Sequence, residues 1–358
     1  MNTKEQKGYE LGRFYATYGY APYKMSKFEE YDLYVRNKDF LISDGVITFT
    51  DTNGKLLALK PDVTLSIIKN SKYQPGCVQK MHYCENVYRI SEDSHCFKEI
   101  LQAGLECMGD IDDATLYEVL TLAVYSLGTE GVVLDIAHRG VVEDLLASCP
   151  LTEAARNAIY RCLREKNPHE MAQVCAENGV PTDVADKLGS LITLYGKPAE
   201  VLPRLFDLLG DTAPLRQLKR LTDGFAHKET APNLRIDFSV VAAGKYYNGI
   251  VFKGYVDGVP DAVLSGGQYD PLMQNMGLQG GAVGFAVYLD YLDHLDRTKP
   301  EYDVDTLILY DEDTDLAALG PDRFTPSTGG SVMIQKQIPE GLTYRQVCRI
   351  ENGEVKPL

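Results

Sequence analysis

A few polar and aromatic side chains along this chain could together form a ligand-binding site. Gln102 and Glu106 are four residues apart in a predicted strand, so they face the same side as Gly104, whose missing side chain leaves room. Arg89 could bind a carboxylate or a phosphate as a bidentate fork. By residue type alone, Asp62 and Glu106 are more typical of solvated charges at strand ends. Tyr246, Tyr247 and Tyr269 could supply aromatic walls and hydroxyl donors.

Strand and helix patterns indicate which elements would position these residues. Asn53-Gly54 lies between two apolar runs and predicts a hairpin with a type I′ turn, in which both turn residues have positive φ. Strands are expected at about 80–91 and 97–108, joined by a polar loop, and the pattern from about 140 to 228 is helical. Hairpins segregated from helices predict an α+β fold around an antiparallel sheet rather than a doubly wound parallel one.

Two short segments in the second half bear on the candidate site. A strand is expected from Tyr246 to Tyr255, and because neighbouring residues of a strand point in opposite directions, only one of Tyr246 and Tyr247 should line a pocket. Gly266-Gly267 indicates a bulge or a tight turn rather than a phosphate cradle.

Composition and charge argue against several classes of function. No apolar stretch approaches the roughly 18 residues needed to cross a bilayer. The 36 basic and 51 acidic residues give a net charge of −15, which disfavours a broad nucleic-acid surface. Eight cysteines without Cys-x-x-Cys spacing indicate reduced thiols, and the clustered Cys77, His82, Cys84, His95 and Cys96 do not have zinc-site spacing. We therefore expect a cytoplasmic protein without a metal, a cofactor or a membrane segment.

Five segments resemble histidyl-tRNA synthetases of class II, and they occur in that family's order. They are Lys60-Pro61-Asp62-Val63-Thr64, residues 86–106 as motif 2, residues 242–252 as the Arg-Gly-Leu-Asp-Tyr-Tyr segment, and residues 266–270 and 284–292 as motif 3 with its approach. The resemblance covers roughly residues 10 to 295. It implies a class II synthetase-like domain at 1–300, formed by an antiparallel sheet flanked by helices. A helical insert is expected at about 140–228, and a small C-terminal α/β segment at 301–358.

The resemblance also assigns roles to individual residues. It implies a histidine site formed by Asp62, Thr64, Arg89, Gln102, Glu106, Tyr246, Tyr247 and Tyr269. Two arginines that the synthetases use on ATP are replaced here by Ala242 and Tyr291. Because fixed cations stabilise the charge that develops on transferring phosphates, their loss implies that aminoacylation is lost and that no residue is catalytic.

A synthetase core without these arginines resembles the regulatory subunits of short-form ATP phosphoribosyltransferase. That resemblance implies a non-catalytic role in the first step of histidine biosynthesis, with L-histidine as the feedback effector. It further implies a synthetase-like dimer that joins a short catalytic subunit in a hetero-octamer, without tRNA. Two alternatives stay open: a divergent histidyl-tRNA synthetase, and a synthetase-like enzyme or regulator that binds another amino acid.

Overall fold

The computed structural model describes residues 3–38, 45–90, 96–128, 131–226, 233–241, 246–292, 302–312, 314, 331–351 and 354–358. Its helices are α1 Thr3–Ala16, α2 Tyr31–Arg36, α3 Thr64–Asn70, α4 Asp113–Leu127, α5 Arg139–Leu146, α6 Glu153–Arg164, α7 Pro168–Glu177, α8 Thr182–Thr193, α9 Pro198–Leu209, α10 Ala213–Asp223, α11 Asp270–Asn275 and α12 Leu289–Leu292. Its strands are β1 Ala21–Pro22, β2 Phe28–Glu30, β3 Thr48–Thr50, β4 Leu56–Leu59, β5 Val78–Ile90, β6 Phe97–Gly109, β7 Val132–His138, β8 Tyr195–Gly196, β9 Asn233–Asp237, β10 Ile250–Val256, β11 Leu264–Gln268, β12 Gly281–Tyr288, β13 Val304–Leu309, β14 Val332–Gln335, β15 Tyr344–Glu351 and β16 Glu354–Pro357.

A nine-stranded sheet in the order β1-β5-β6-β12-β11-β10-β7-β9-β8 organises the larger part of the chain. All its neighbouring strands are antiparallel except the pairs β1–β5 and β7–β9. The long hairpin of β5 and β6 corresponds to the two strands predicted at about 80–91 and 97–108. The polar loop predicted between them, residues 91–95, lies outside the described residues. The predicted α+β fold around an antiparallel sheet is confirmed.

The two faces of this sheet are covered by separate apolar clusters. Leu105 and Cys107 of β6 belong to the cluster that α1 and α4 cover, whereas Met108 belongs to the cluster formed with α3 and α11. Alternate residues of a strand point to opposite faces. Gln102 and Glu106 therefore lie on the same face as Met108, beneath α3.

The helical pattern predicted from about 140 to 228 corresponds to six helices, α5 to α10, between β7 and β9. Proline lies in the first turn of α7, α9 and α10, where its missing N–H leaves no helical hydrogen bond unmade. Thr152 and Asn167 cap α6 and α7 by accepting hydrogen bonds from backbone N–H groups. Local signals thus explain where these helices begin.

Two predictions about turns are wrong. In the hairpin of β3 and β4, Gly54 has a φ of +81° but Asn53 does not have positive φ, so the turn is not type I′. Asp51 instead organises a longer loop, since its carboxylate accepts hydrogen bonds from the N–H groups of Asn53 and Lys55. Gly266 and Gly267 lie inside β11, paired with β10 and β12, and form neither a bulge nor a turn.

The chain divides into two compact units, Met1–Leu295 and Asp296–Leu358. The second unit has a four-stranded sheet in the order β14-β13-β15-β16, in which β13 is parallel to both β14 and β15. The inner strand β13 is apolar on both faces, with Ile308 in one small cluster and Leu307 in the other. Among the helices of the described residues, none is long and apolar enough to cross a membrane.

Candidate functional site

Seven of the eight residues proposed for the histidine site line one pocket on the α3 side of the large sheet. They are Asp62, Thr64, Gln102, Glu106, Tyr246, Tyr247 and Tyr269. β6 contributes Gln102 and Glu106, the start of α3 contributes Thr64, and Tyr269 follows β11 directly. The structure therefore brings together residues that are up to 207 positions apart in the sequence.

Glu106 lies at the centre of the pocket. Its side chain accepts hydrogen bonds from the Thr64 hydroxyl at 2.7 Å and from the Tyr269 hydroxyl. Burial raises the pKa of Glu106 to about 8, against the opposing effect of these two hydrogen bonds. Gly284 on the neighbouring strand β12 leaves room for this carboxyl, because a Cβ there would lie 1.8 Å from Glu106 Oε2. The Glu106 carboxyl therefore keeps its proton to a higher pH than an exposed glutamate does.

Asp62 is the second buried carboxyl of the pocket. Its Oδ1 accepts a hydrogen bond from the Leu65 N–H at 3.1 Å, at the start of α3. Burial raises the pKa of Asp62, while the positive charge of Arg89 acts in the opposite direction. Two carboxyls of raised pKa in one pocket are suited to a ligand that brings positive charge with it.

Arg89 lies beside this pocket rather than in its wall. Its Nε donates a hydrogen bond to the Pro61 carbonyl at 3.0 Å, whereas its buried Nη2 has no hydrogen-bond partner among the described residues. Within the pocket, the buried Gln102 Nε2 likewise has no partner in the described part of the chain. Because burying an unpaired donor is costly, both groups are available to a ligand oxygen.

Both members of the Tyr246-Tyr247 pair line the pocket, so the prediction that only one does is wrong. Their ring centroids are 4.7 Å apart at an interplanar angle of 78°, and the Tyr246 ring is 5.6 Å from that of Tyr269. The reason is that β10 begins only at Ile250, so the alternation of a strand does not govern these two residues.

Tyr83 and Tyr288 also line the pocket but were not among the residues predicted from the sequence. Tyr83 on β5 is the register partner of Gly104 on β6, and Tyr288 contacts the Ser265 hydroxyl at 2.8 Å. The glycine was a usable signal for Tyr83, since a residue without a side chain leaves space for a large cross-strand neighbour.

We expect Gly104→Ala to destabilise the fold by about 2–3 kcal/mol. A Cβ at this position would lie 2.3 Å from the Phe285 carbonyl oxygen and 2.6 Å from the Tyr83 hydroxyl, and the carbonyl belongs to a central strand that cannot move freely. Urea unfolding of the variant measures the loss. Gly189→Ala is the matched control, because Gly189 lies in α8 and its added methyl would have no atom within 4 Å beyond the adjoining backbone of its own helix. That change should stabilise the protein. Equal behaviour of the two variants would contradict the expectation.

The pocket is narrow in this structure. Its free volume is about 20 Å³, enough for about one water molecule and not for an amino acid. The hydroxyls of Thr64 and Tyr269 already donate hydrogen bonds to the Glu106 carboxyl. A ligand therefore has to displace pocket side chains when it binds.

Of the two positions at which the synthetases have an ATP-binding arginine, the described residues include Tyr291 but not Ala242. Tyr291 lies in α12, is 37% exposed, and packs its ring edge-on 5.9 Å from Tyr288. Ala242 lies outside the described residues. Among the described residues, no group of three or more His, Cys, Asp or Glu side chains could hold a metal ion.

Comparison with known proteins identifies the family. A family model described as "Histidyl-tRNA synthetase" matches residues 2–292. A relative from Oceanobacillus iheyensis named "ATP phosphoribosyltransferase regulatory subunit" is 26% identical over 78% of this chain and 70% of its own length. A relative of the same name from Thermoanaerobacter sp. (strain X514) is 31% identical over 69% of this chain and 67% of its own. The chain belongs to the ATP phosphoribosyltransferase regulatory subunits, a branch of the histidyl-tRNA synthetase family.

Several solved structures share the fold of this regulatory subunit. A Bacillus halodurans protein described as an ATP phosphoribosyltransferase regulatory subunit/histidyl-tRNA synthetase has a TM-score of 0.78 at 24% identity, covering 97% of this chain and 93% of its own. Histidyl-tRNA synthetase from Nostoc sp. PCC 7120 has a TM-score of 0.71 at 15% identity, covering 94% and 83%. A chain of the Thermotoga maritima ATP phosphoribosyl transferase complex has a TM-score of 0.62 at 20% identity, covering 79% and 96%.

Proposed function

We propose that this regulatory subunit binds L-histidine in the pocket around Glu106 and thereby controls a short-form ATP phosphoribosyltransferase catalytic subunit without catalysing a reaction itself. One observation carries the proposal. Two buried carboxyls, an unpaired amide donor and five tyrosines converge on one pocket within a chain of this family.

The chemistry of the pocket matches a histidine molecule. Asp62 and Glu106 can balance the charge of an ammonium group or an imidazolium ring, and both become better ion-pair partners when a cation enters, since it favours their ionised forms. The unpaired donors of Gln102 and Arg89 suit the α-carboxylate. The tyrosines supply flat apolar walls for the imidazole ring.

The positions that a synthetase would need for ATP support a binding role instead of a catalytic one. Tyr291 offers a neutral ring where motif 3 of the synthetases has an arginine, and Ala242 has no charged group. Each missing donor to a transferring phosphate costs about 10²–10³ in rate. The pocket is therefore suited to holding histidine and poorly suited to activating it.

The narrow pocket provides a physical route from binding to control. A ligand can shift an assembly only by binding its alternative states with different affinities. Histidine cannot enter a free volume of about 20 Å³, so it has to bind a more open state of the chain. We propose that the catalytic subunit responds to this change, in a hetero-octamer built on a synthetase-like dimer.

The decisive experiment combines this chain with a short catalytic subunit from the same organism and measures the ATP phosphoribosyltransferase rate. We expect the chain to raise the rate strongly and micromolar to millimolar L-histidine to reverse that gain. The catalytic subunit alone and a titration with D-histidine are the controls. Should the chain leave the rate unchanged and instead support histidine-dependent ATP–pyrophosphate exchange, the divergent-synthetase alternative would replace this proposal.

A further inference from the structure

A polar cluster behind the tyrosine walls of the pocket is centred on Asp270. Its Oδ2 accepts hydrogen bonds from Asn248 Nδ2 and from Gln268 Nε2, both at 2.9 Å. Its Oδ1 accepts one from the Ala282 N–H at 2.9 Å, and its own N–H donates to Asn248 Oδ1 at 3.0 Å. None of these three side chains is part of the pocket wall.

Two glycines leave the space that this cluster occupies. A Cβ on Gly249 would lie 2.1 Å from Gln268 Oε1, and a Cβ on Gly281 would lie 2.5 Å from Asp270 Oδ1. Neither glycine has positive φ, so close approach of the neighbouring side chains, rather than turn geometry, explains why these positions carry no side chain.

The cluster joins the two segments that carry the tyrosines. Asn248 directly follows Tyr247, and Asp270 directly follows Tyr269. Backbone contacts run in parallel with the side-chain contacts, because the Asn248 N–H donates to the Gln268 carbonyl at 3.0 Å and the Tyr269 N–H donates to the Ala282 carbonyl at 2.8 Å. The segment before β10 is not a strand, so it lacks a regular ladder of hydrogen bonds that would otherwise hold it.

We propose that Asp270 and Asn248 are positioning residues for the ligand pocket: they fix Tyr246-Tyr247 relative to Tyr269 and thereby set the affinity for histidine without touching it. The proposal rests on the histidine-binding role argued above. Since Asp270 Oδ2 accepts hydrogen bonds from both Asn248 and Gln268, replacing this oxygen by an amide NH₂ sets donor against donor and loosens these two contacts, whereas the hydrogen bond from the Ala282 N–H to Oδ1 can remain.

Amide hydrogen exchange of the whole chain, followed by mass spectrometry, tests the positioning without any ligand. In Asp270→Asn and in Asn248→Ala, peptides from 246–256 and 264–275 are expected to exchange about tenfold faster than in the wild type. Asp110→Asn is the matched control, because the Asp110 carboxylate also accepts two hydrogen bonds, from Tyr73 and the Gly76 N–H, away from the pocket. Unchanged exchange of both peptides in both variants overturns the proposal.

Calorimetric titration with L-histidine supplies the second measurement. We expect the affinity of Asp270→Asn and Asn248→Ala to fall about tenfold, and that of Asp110→Asn to equal the wild type. Faster exchange with undiminished affinity would also overturn the proposal. If the wild type binds no histidine, the proposed function fails, whereas the exchange experiment still decides whether Asp270 positions the two segments.

A double variant that exchanges the side chains of Asn248 and Asp270 tests whether their mutual hydrogen bond, rather than a general loosening of the fold, is the cause. Asn248→Asp combined with Asp270→Asn reverses the donor and the acceptor of their mutual hydrogen bond. The double variant is expected to recover part of the protection and of the affinity lost in Asp270→Asn. A double variant no better than Asp270→Asn would show that this contact is not the cause and would count against the proposal.

Discussion

Glu106→Gln is expected to weaken L-histidine binding about 100-fold and to remove most of the feedback inhibition. The substitution keeps the size of the side chain and its ability to hydrogen-bond with Thr64 and Tyr269, but it cannot become negatively charged. A buried hydrogen bond to a charged group contributes about 1.5–3 kcal/mol, which corresponds to roughly 10- to 100-fold in affinity.

Proton release gives this prediction a specific signature. With a pKa of about 8, Glu106 is mostly protonated in the free chain at pH 7, and a bound cation favours its ionised form. Wild-type binding should therefore release close to one proton, measured by calorimetry in buffers of different ionisation enthalpy, and Glu106→Gln should release none. The control is Glu118→Gln, since Glu118 also accepts a hydrogen bond from a tyrosine, Tyr20, outside the pocket. Equal proton release by wild type and Glu106→Gln would remove Glu106 from the site.

The same shift makes folding stability depend on pH. The folded chain binds the Glu106 proton more tightly than the unfolded chain, in which the pKa of this carboxyl is near 4.5. The contribution of Glu106 to folding stability therefore falls as pH rises from about 5 to about 8. The slope is roughly 1.4 kcal/mol per pH unit. Urea unfolding across this range should show a flatter profile for Glu106→Gln than for the wild type.

Glu85→Leu is expected to destabilise the fold by about 3 kcal/mol, because it leaves the ammonium group of Lys60 buried without its ion pair. The Lys60 side chain is 1% exposed and that of Glu85 is 13% exposed, and the pair joins the end of the small β2-β4-β3 sheet to β5 of the large one. Urea or thermal unfolding measures the loss.

Two further variants make this second prediction specific. Lys60→Met combined with Glu85→Leu should recover most of the lost stability, since no charge is then left buried. Glu30→Leu breaks the surface ion pair with Lys55, in which the Glu30 side chain is 62% exposed and that of Lys55 is 64% exposed. This substitution should change stability little. If Glu85→Leu proves as mild as Glu30→Leu, the buried pair contributes no more than a surface one.

Local patterns predicted the parts of the site that depend on strand geometry. Gln102 and Glu106 share a face because they lie four residues apart in β6, and the structure places both in the pocket. The turn at Asn53-Gly54 and the orientation of Tyr246-Tyr247 were wrong for a common reason. The Asp51 carboxylate accepts a hydrogen bond and the Asn248 amide donates one, and these contacts shape the two segments. The periodicity of a sequence does not report such contacts.

The sequence by itself determined the fold class, the order of hairpins and helices, and the set of candidate pocket residues. The fold class and the order of elements follow from apolar periodicity and capping residues, which are local in the chain. The candidate pocket residues follow from the resemblance of five short segments to the synthetase family. Only the tertiary structure decided that Tyr83 and Tyr288 complete the pocket, that Arg89 lies beside it, and that the pocket is narrow. Strand register and burial decide which side chains line the pocket, and burial also raises the pKa of Glu106. Local sequence does not report register or burial, because both depend on contacts between residues far apart in the chain.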